Sequence, residues 1–294
     1  VTLVALLLGA LTASGALLAY HWARTATDRT TPDVRRPSLF ELLIGFTTNF
    51  LDTLGIGSFA TTTTIFRLFR LVPDELIPGT MIVGHALPVV AQALFFVSAV
   101  SVDPVQLTVL VAVCVTGGWF GAGIVSSLSR RGVQLGMGCA LLVAATFMLV
   151  GMSGRFPVGG SALSLTPGAF ALAAAVNLML GALITLGVGN YAPSLVMFSL
   201  LGMDPRAAFP IMMGSGAFVA TIAGVRFVRR ERFRGAAALG LALGGIPGVI
   251  VAAWLVQSLP LDALRWLVLI VVVYTSVTLL RAGLRVADDN DRAS

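Results

Sequence analysis

Residues 53–60 read Thr53-Leu54-Gly55-Ile56-Gly57-Ser58-Phe59-Ala60, and residues 185–192 read Thr185-Leu186-Gly187-Val188-Gly189-Asn190-Tyr191-Ala192. The two stretches lie 132 positions apart and align without a gap. The match runs on, with Phe66 on Phe198, Leu68 on Leu200, Pro73 on Pro205, Pro78 on Pro210, Met81 on Met213 and Gly84 on Gly216. Eleven of the 32 positions from 53 to 84 are identical at this offset. Apolar composition alone produces some matches, but glycine and proline set backbone shape, and their coincidence is much harder to obtain by chance. We read the chain as an internal duplication.

The surrounding composition says what is duplicated. Of 294 residues, 57% are apolar and only 11% charged, and the mean hydropathy is +0.96. So few charges cannot cover a water-soluble globule of 30.6 kDa, whereas they suffice for the loops of a helical bundle whose outer surface meets lipid. The expected class is an all-α polytopic membrane protein. All 19 basic residues are Arg, and the net charge of +6 comes from loop clusters rather than a basic face, which argues against a nucleic-acid partner. Cys114 and Cys139 lie in apolar stretches with no second Cys or His at ligand spacing, and read as small core residues. No metal motif and no nucleotide motif is present, so no cofactor is expected.

Apolar stretches at about 1–22, 77–100, 105–127, 133–152, 207–226, 236–256 and 264–280 predict about seven crossings at 1.5 Å per residue. The first lacks a basic n-region and reads as an uncleaved anchor rather than a signal peptide. Two further apolar regions, 39–70 and 168–202, are broken at Gly55/Gly57 and Gly187/Gly189, and each reads as two half-helices. Arginine placement sets the orientation. The densest run, Arg226, Arg229, Arg230, Arg232 and Arg234, goes inside, and counting from it makes both broken regions re-entrant hairpins that enter from opposite faces. Sixteen arginines then lie inside and three outside (Arg155, Arg206, Arg265). The resulting organisation is an anchor (1–22), an Arg-rich inner linker (23–38), a first repeat (39–152), an outer loop (153–167), a second repeat (168–282) and an inner tail (283–294). Each repeat is one hairpin and three crossings, in opposite orientations, which makes the repeat inverted.

Backbone departs from helix at membrane depth only where protein buries it or a wet cavity adjoins it, so two such breaks predict a midplane site at the pseudo-symmetry axis. The second half-helices begin at about Ser58 and Asn190, with unpaired N–H groups and positive dipole ends that suit an anion. Ser58 and Asn190 are also good N-caps, so they either contact a ligand or close the helix. The glycines 55, 57, 187 and 189 and the following aromatics Phe59 and Tyr191 complete this candidate binding set. Asp52 and His85 are costly at membrane depth, and neither has an ionisable twin, because the offset sets Ile184 and Ala217 against them. They read as an anion-orienting or proton-carrying pair, or as a buried structural pair. Asn49, Asn177, Gln92, Ser215 and Thr61 to Thr64 are uncharged polar residues whose commonest use is bonding between helices, with Ser215 and Asn177 also candidates to line the site. Arg67 and Arg70 read as an anion vestibule or as interfacial anchors.

The motifs Gly55-Ile-Gly-Ser-Phe-Ala60 and Gly187-Val-Gly-Asn-Tyr-Ala-Pro193, with Leu201-Gly-Met-Asp-Pro-Arg-Ala-Ala-Phe-Pro210, resemble the TauE/SafE sulfite exporter family, the toluene sulfonate uptake permeases, over roughly 39–282. The commoner family motif runs through three glycines to a proline, whereas Ser58 and Asn190 interrupt it here and Thr61 stands opposite Pro193. The resemblance implies a secondary transporter, more often an exporter, of sulfite or organosulfonates such as sulfoacetate, in a prokaryotic cell membrane. Together with the hairpins it implies alternating access, not enzymatic turnover. The topology count puts the N-terminus outside and the C-terminus in the cytoplasm. An anion leaving a cell that is negative inside is driven outward by roughly 2.3 kcal/mol per charge at 100 mV. The alternatives are an anion channel on the same repeat and an intramembrane hydrolase using Ser58 as nucleophile and His85 as base. The sequence does not fix the oligomeric state.

Overall fold

A computed structural model describes residues 2–27, 36–125, 130–150, 160–184 and 190–291. Among these, the regular elements are eleven helices and one isolated β-bridge between Ala162 and Met203. The helices are α1 (Thr2–Thr27), α2 (Leu39–Thr53), α3 (Phe59–Leu68), α4 (Ile77–Ala99), α5 (Pro104–Val125), α6 (Arg130–Val150), α7 (Pro167–Ile184), α8 (Tyr191–Leu200), α9 (Pro205–Arg229), α10 (Gly235–Ser258) and α11 (Leu261–Asp291). All seven expected crossings fall on helices. Among the described residues six helices are long and apolar enough to cross a bilayer, and they include Pro167–Ile184, which the sequence assigns to a hairpin arm. Only 17 residues of α5 and ten of α6 count towards such a span.

Several boundaries differ from expectation. The first helix continues to Thr27, past the expected start of the linker, and α11 runs to Asp291, so most of the expected tail continues the last helix. Neither expected boundary carries Pro, and Gly283, at the second, keeps its backbone N–H and only weakens a helix, so nothing breaks the helical hydrogen bonding there. Cys114 is buried as expected, but Cys139 is exposed. The correction follows from the medium, because lipid accepts a small thiol on the outer face as readily as a core does.

Burial along α10 is that of a membrane helix, with small residues inside and large apolar ones outside. Leu243, Ile250 and Trp254 form an exposed stripe, Trp254 at 66%, while Gly240, Gly244, Gly245 and Gly248 are buried against α2. Water would penalise that stripe and hydrocarbon does not.

The chain divides into two compact units, Val1–Val100 with Met213–Ser258, and Ser101–Met212 with Leu259–Ser294. They do not follow the two sequence halves. In the first unit α10 packs along α2 and α4, and α1 packs on α4. The α10–α2 crossing is backbone-close, since a Cβ added at Gly244 would strike the Leu42 carbonyl and one at Gly248 the Phe46 carbonyl. Arg234, at the foot of α10, donates its N–H to Thr80 Oγ1 (2.9 Å) and its guanidinium to the Leu71 carbonyl, which ties α10 to the loop before α4. In the second unit α5 packs on α7 and α6 on α11. There Gly117 meets the Leu178 carbonyl and Gly181 the Cys114 carbonyl at the same kind of close crossing. The side chain of Gln106 makes two 2.8 Å bonds with the Leu165 backbone, which pins the loop before α7 to the start of α5.

Helices α2 and α3 fold back on each other. Phe40, near the start of α2, and Phe69, just past α3, stack edge to face with centroids 4.9 Å apart, and Ile44 and Phe66 share one apolar cluster. At about 22 Å and 15 Å, both arms are shorter than the hydrocarbon core.

Candidate functional site

The α2 helix starts with a capping box, in which Ser38 Oγ accepts from the Glu41 N–H and Glu41 returns a bond to the Ser38 N–H. It ends at the glycine turn, where Gly55 and Gly57 adopt φ of 93° and 86°. Those left-handed angles are open to glycine at little cost and reverse the chain within five residues. The reversal brings Asp52, on the last turn of α2, to the first residue of the next arm. Asp52 Oδ1 accepts the Ser58 N–H at 2.7 Å. Its other oxygen accepts from Gln92 Nε2 on α4 at 3.2 Å, and the same amide donates to Thr53 Oγ1 at 2.8 Å. Thr53 in turn donates to the Asn49 carbonyl at 2.8 Å. The carboxylate is 4% exposed, and among the described residues no ion pair includes it.

His85 belongs to an adjoining network. Asn49 Nδ2 donates to the Gly45 carbonyl (2.8 Å), which leaves Asn49 Oδ1 facing His85 Nδ1 at 3.0 Å. By this assignment Nδ1 carries the proton, and Nε2 accepts from the Thr62 hydroxyl at 3.0 Å. A neutral imidazole satisfies both contacts. Asp52 and His85 are thus both buried and each bonded to other side chains, in two adjoining networks. Both ring nitrogens of His85 are engaged elsewhere than on Ser58, so the nucleophile–base bond of the hydrolase alternative does not form.

Ser58 is 1% exposed and Asn190 5% exposed, and neither side chain caps its helix. Their dihedrals explain why, since φ, ψ of −86°, −26° and −90°, −11° are helical rather than the extended geometry that turns a cap side chain onto the N3 amide. Ser58 Oγ and Asn190 Nδ2 are both buried without a hydrogen-bond partner, as is Ser194 Oγ, one turn further along α8. Of the two expected uses, closing the helix is not the one these side chains have, and each leaves a buried polar group at the start of a ten-residue helix.

The other expected residues divide. Phe59 is 41% exposed, with its ring 6.0 Å from that of His85. Tyr191 is half-buried on the first turn of α8, and Ser215 is buried in α9. Gly187 and Gly189 lie outside the described residues. Asn177 bonds across to the Leu110 carbonyl at 2.8 Å, as expected of a helix-joining residue. Arg67 pairs with Asp74 at 3.1 Å with both side chains exposed, an arrangement worth under about 1 kcal/mol and fitting an anchor.

Gln92 and Thr62 bond between helices, the use expected of them, but sequence reasoning named no partner for either and gave Thr53 no role. A signal was there for two of them, because Gln92 follows His85 by two helical turns and Thr53 follows Asn49 by one, which sets each on the same face as its polar neighbour. Comparison of the chain with protein-family models, with curated proteins and with solved structures finds no match.

Proposed function

We propose that this chain is a secondary transporter, working as an exporter by alternating access, of small sulfur-containing anions such as sulfite and organosulfonates. The TauE/SafE-like motifs name the substrate class. One observation carries the binding role: Ser58 and Asn190, equivalent at the 132-residue offset, are both buried at helix starts with a polar atom left unpaired. A buried group without a partner costs about 1–3 kcal/mol, and an oxyanion at the positive end of a helix would remove that cost.

The inverted repeat belongs to the same proposal and has support beyond the motif. Adding 132 to Phe59–Leu68 gives Tyr191–Leu200, the bounds of α8. Both helices end in the same Schellman turn, with Leu71 N–H on Phe66 O (2.9 Å) and Met203 N–H on Phe198 O (3.0 Å). The left-handed residue of each turn is Arg70 at φ 51° and Gly202 at φ 88°, again 132 apart. The doubled-back α2–α3 pair fits a re-entrant hairpin, and the exposed apolar stripes fit a multi-pass protein of a prokaryotic cell membrane.

Reconstitution in liposomes tests the proposal. Uptake of radiolabelled sulfite should saturate and should be accelerated by unlabelled sulfite trapped inside. A flux that neither saturates nor shows counterflow would instead identify an anion channel.

A further inference from the structure

We propose that Asp52 is the proton site of this transporter and that its carboxylate competes with the substrate anion for the start of α3, so that one proton is taken up for each anion bound. The inference rests on the transport reading and specifies how the site is regulated. Ser58 N–H, at the first residue of the arm, is already spent on Asp52 Oδ1 at 2.7 Å, so the protein carries a tethered anion where a free one would bind. The Ser58 hydroxyl is buried beside the same carboxylate, which makes it a second donor at that helix end, free to turn from Asp52 to an incoming oxygen.

Two anions cannot share that end. Like charges within a few ångströms in a buried site hold a proton between them, as paired carboxylates do. Proton transfer from solvent hydronium to Oδ1 resolves the conflict: one hydronium O–H bond breaks, the Oδ1–H bond forms, and water is left. The Ser58 N–H passes to a substrate oxygen, the new Oδ1–H becomes a further donor to it, and Oδ2 keeps its bond from Gln92. The surrounding groups leave Asp52 as the proton acceptor. On α4 the titratable neighbour is His85, whose two nitrogens are held by Asn49 and Thr62. The α10 helix carries no ionisable residue. On α3 Arg67 lies at the far end and pairs with Asp74, and on α2 Glu41 lies at the far end and caps Ser38. A monoanion would then travel with its proton as a neutral pair, and the membrane potential would not drive it.

Titration calorimetry of the detergent-purified full chain tests this. Thiosulfate and methanesulfonate serve as probes, because neither titrates near neutral pH. Each is run in two buffers of different ionisation enthalpy, at pH 6, 7, 8 and 9. The expected result is close to one proton taken up per anion over part of this range, with affinity falling about tenfold per pH unit where uptake is complete. Asp52→Asn, which resembles the protonated acid, should bind with no proton uptake and a flat pH profile. Binding without uptake at every pH, or unchanged uptake in Asp52→Asn, overturns the inference and leaves the transport reading standing. No binding of either probe overturns both. The wild-type proton count decides the matter even if the variant fails to fold.

Discussion

At the start of α3 the first amide is held by a carboxylate from the preceding helix, whereas at the start of α8 the position matching Asp52 is Ile184. One arm therefore carries its own anion and a web of side-chain bonds to α2 and α4, centred on Asp52, Gln92, Asn49 and His85. In the other, Asn190 Nδ2 and Ser194 Oγ are buried and unpartnered. The α3 and α8 helices, whose bounds lie 132 residues apart, end in the same turn and differ in electrostatic character. The first amide of α3 is met by a carboxylate of the chain itself, whereas the polar side-chain atoms at the start of α8 have no such partner.

The largest effect that would break the comparison is steric. Gly244→Leu should drive α10 off α2, and Gly181→Leu should drive α5 off α7, each costing about 3 kcal/mol or more, because the obstacle is backbone carbonyl and not a flexible side chain. Similar losses in the thermal midpoint would show that both arms depend on the same kind of support. A variant of either type with an unchanged midpoint would contradict it. The next effect separates the arms. Asp52→Leu strands the Ser58 N–H and should cost about 2–3 kcal/mol, while Ile184→Leu should cost under about 1 kcal/mol. Equal losses in denaturant titration would erase the asymmetry.

Smaller changes sharpen it. Gln92→Leu removes one donor from Asp52 and one from Thr53 and should cost about 1–2 kcal/mol, with the deficit reduced in an Asp52→Asn background. Additive losses in that double-mutant cycle would mean the two residues act separately. At the far ends of the arms, Gly202→Ala should cost about 1 kcal/mol through its φ of 88°, although open space surrounds the site, and Arg70→Gly should change stability by less than about 0.5 kcal/mol because relief of strain offsets the added chain entropy. Midpoints moving the other way would show that the two Schellman turns are not equivalent.

Much of this was legible in the residues. The helix breaks at Gly55/Gly57 follow from glycine chemistry, the helices at the seven expected crossings follow from hydropathy, and burial of Asp52 and His85 follows from the apolar stretches that hold them. Partnerships were not legible. The Asp52–Ser58 bond spans six residues across a glycine turn, and no helical period relates them, so only the turn's φ values determine which amide the carboxylate meets. Likewise Ser58 and Asn190 are chemically ideal caps, and what denies them that role is a backbone angle, invisible in residue type. Cys139 misled because a small residue in an apolar helix faces lipid as comfortably as it faces core. The interleaving of the two halves within compact units arises from glycine-to-carbonyl contacts between helices far apart in the chain, beyond the reach of a pattern read along it.

The most direct test of the central claim is ligand-induced thermal stabilisation of the purified protein across sulfite, sulfate, thiosulfate, sulfoacetate, taurine, toluene sulfonate and carboxylate analogues. A ligand that binds only the folded state at a hundred times its dissociation constant adds about 2.7 kcal/mol. The account predicts a rise in midpoint with at least one sulfur anion, none with its carboxylate analogue, and loss of the rise in both Ser58→Leu and Asn190→Leu. A folded wild-type protein that no anion stabilises, or a shift that survives both substitutions, would contradict it.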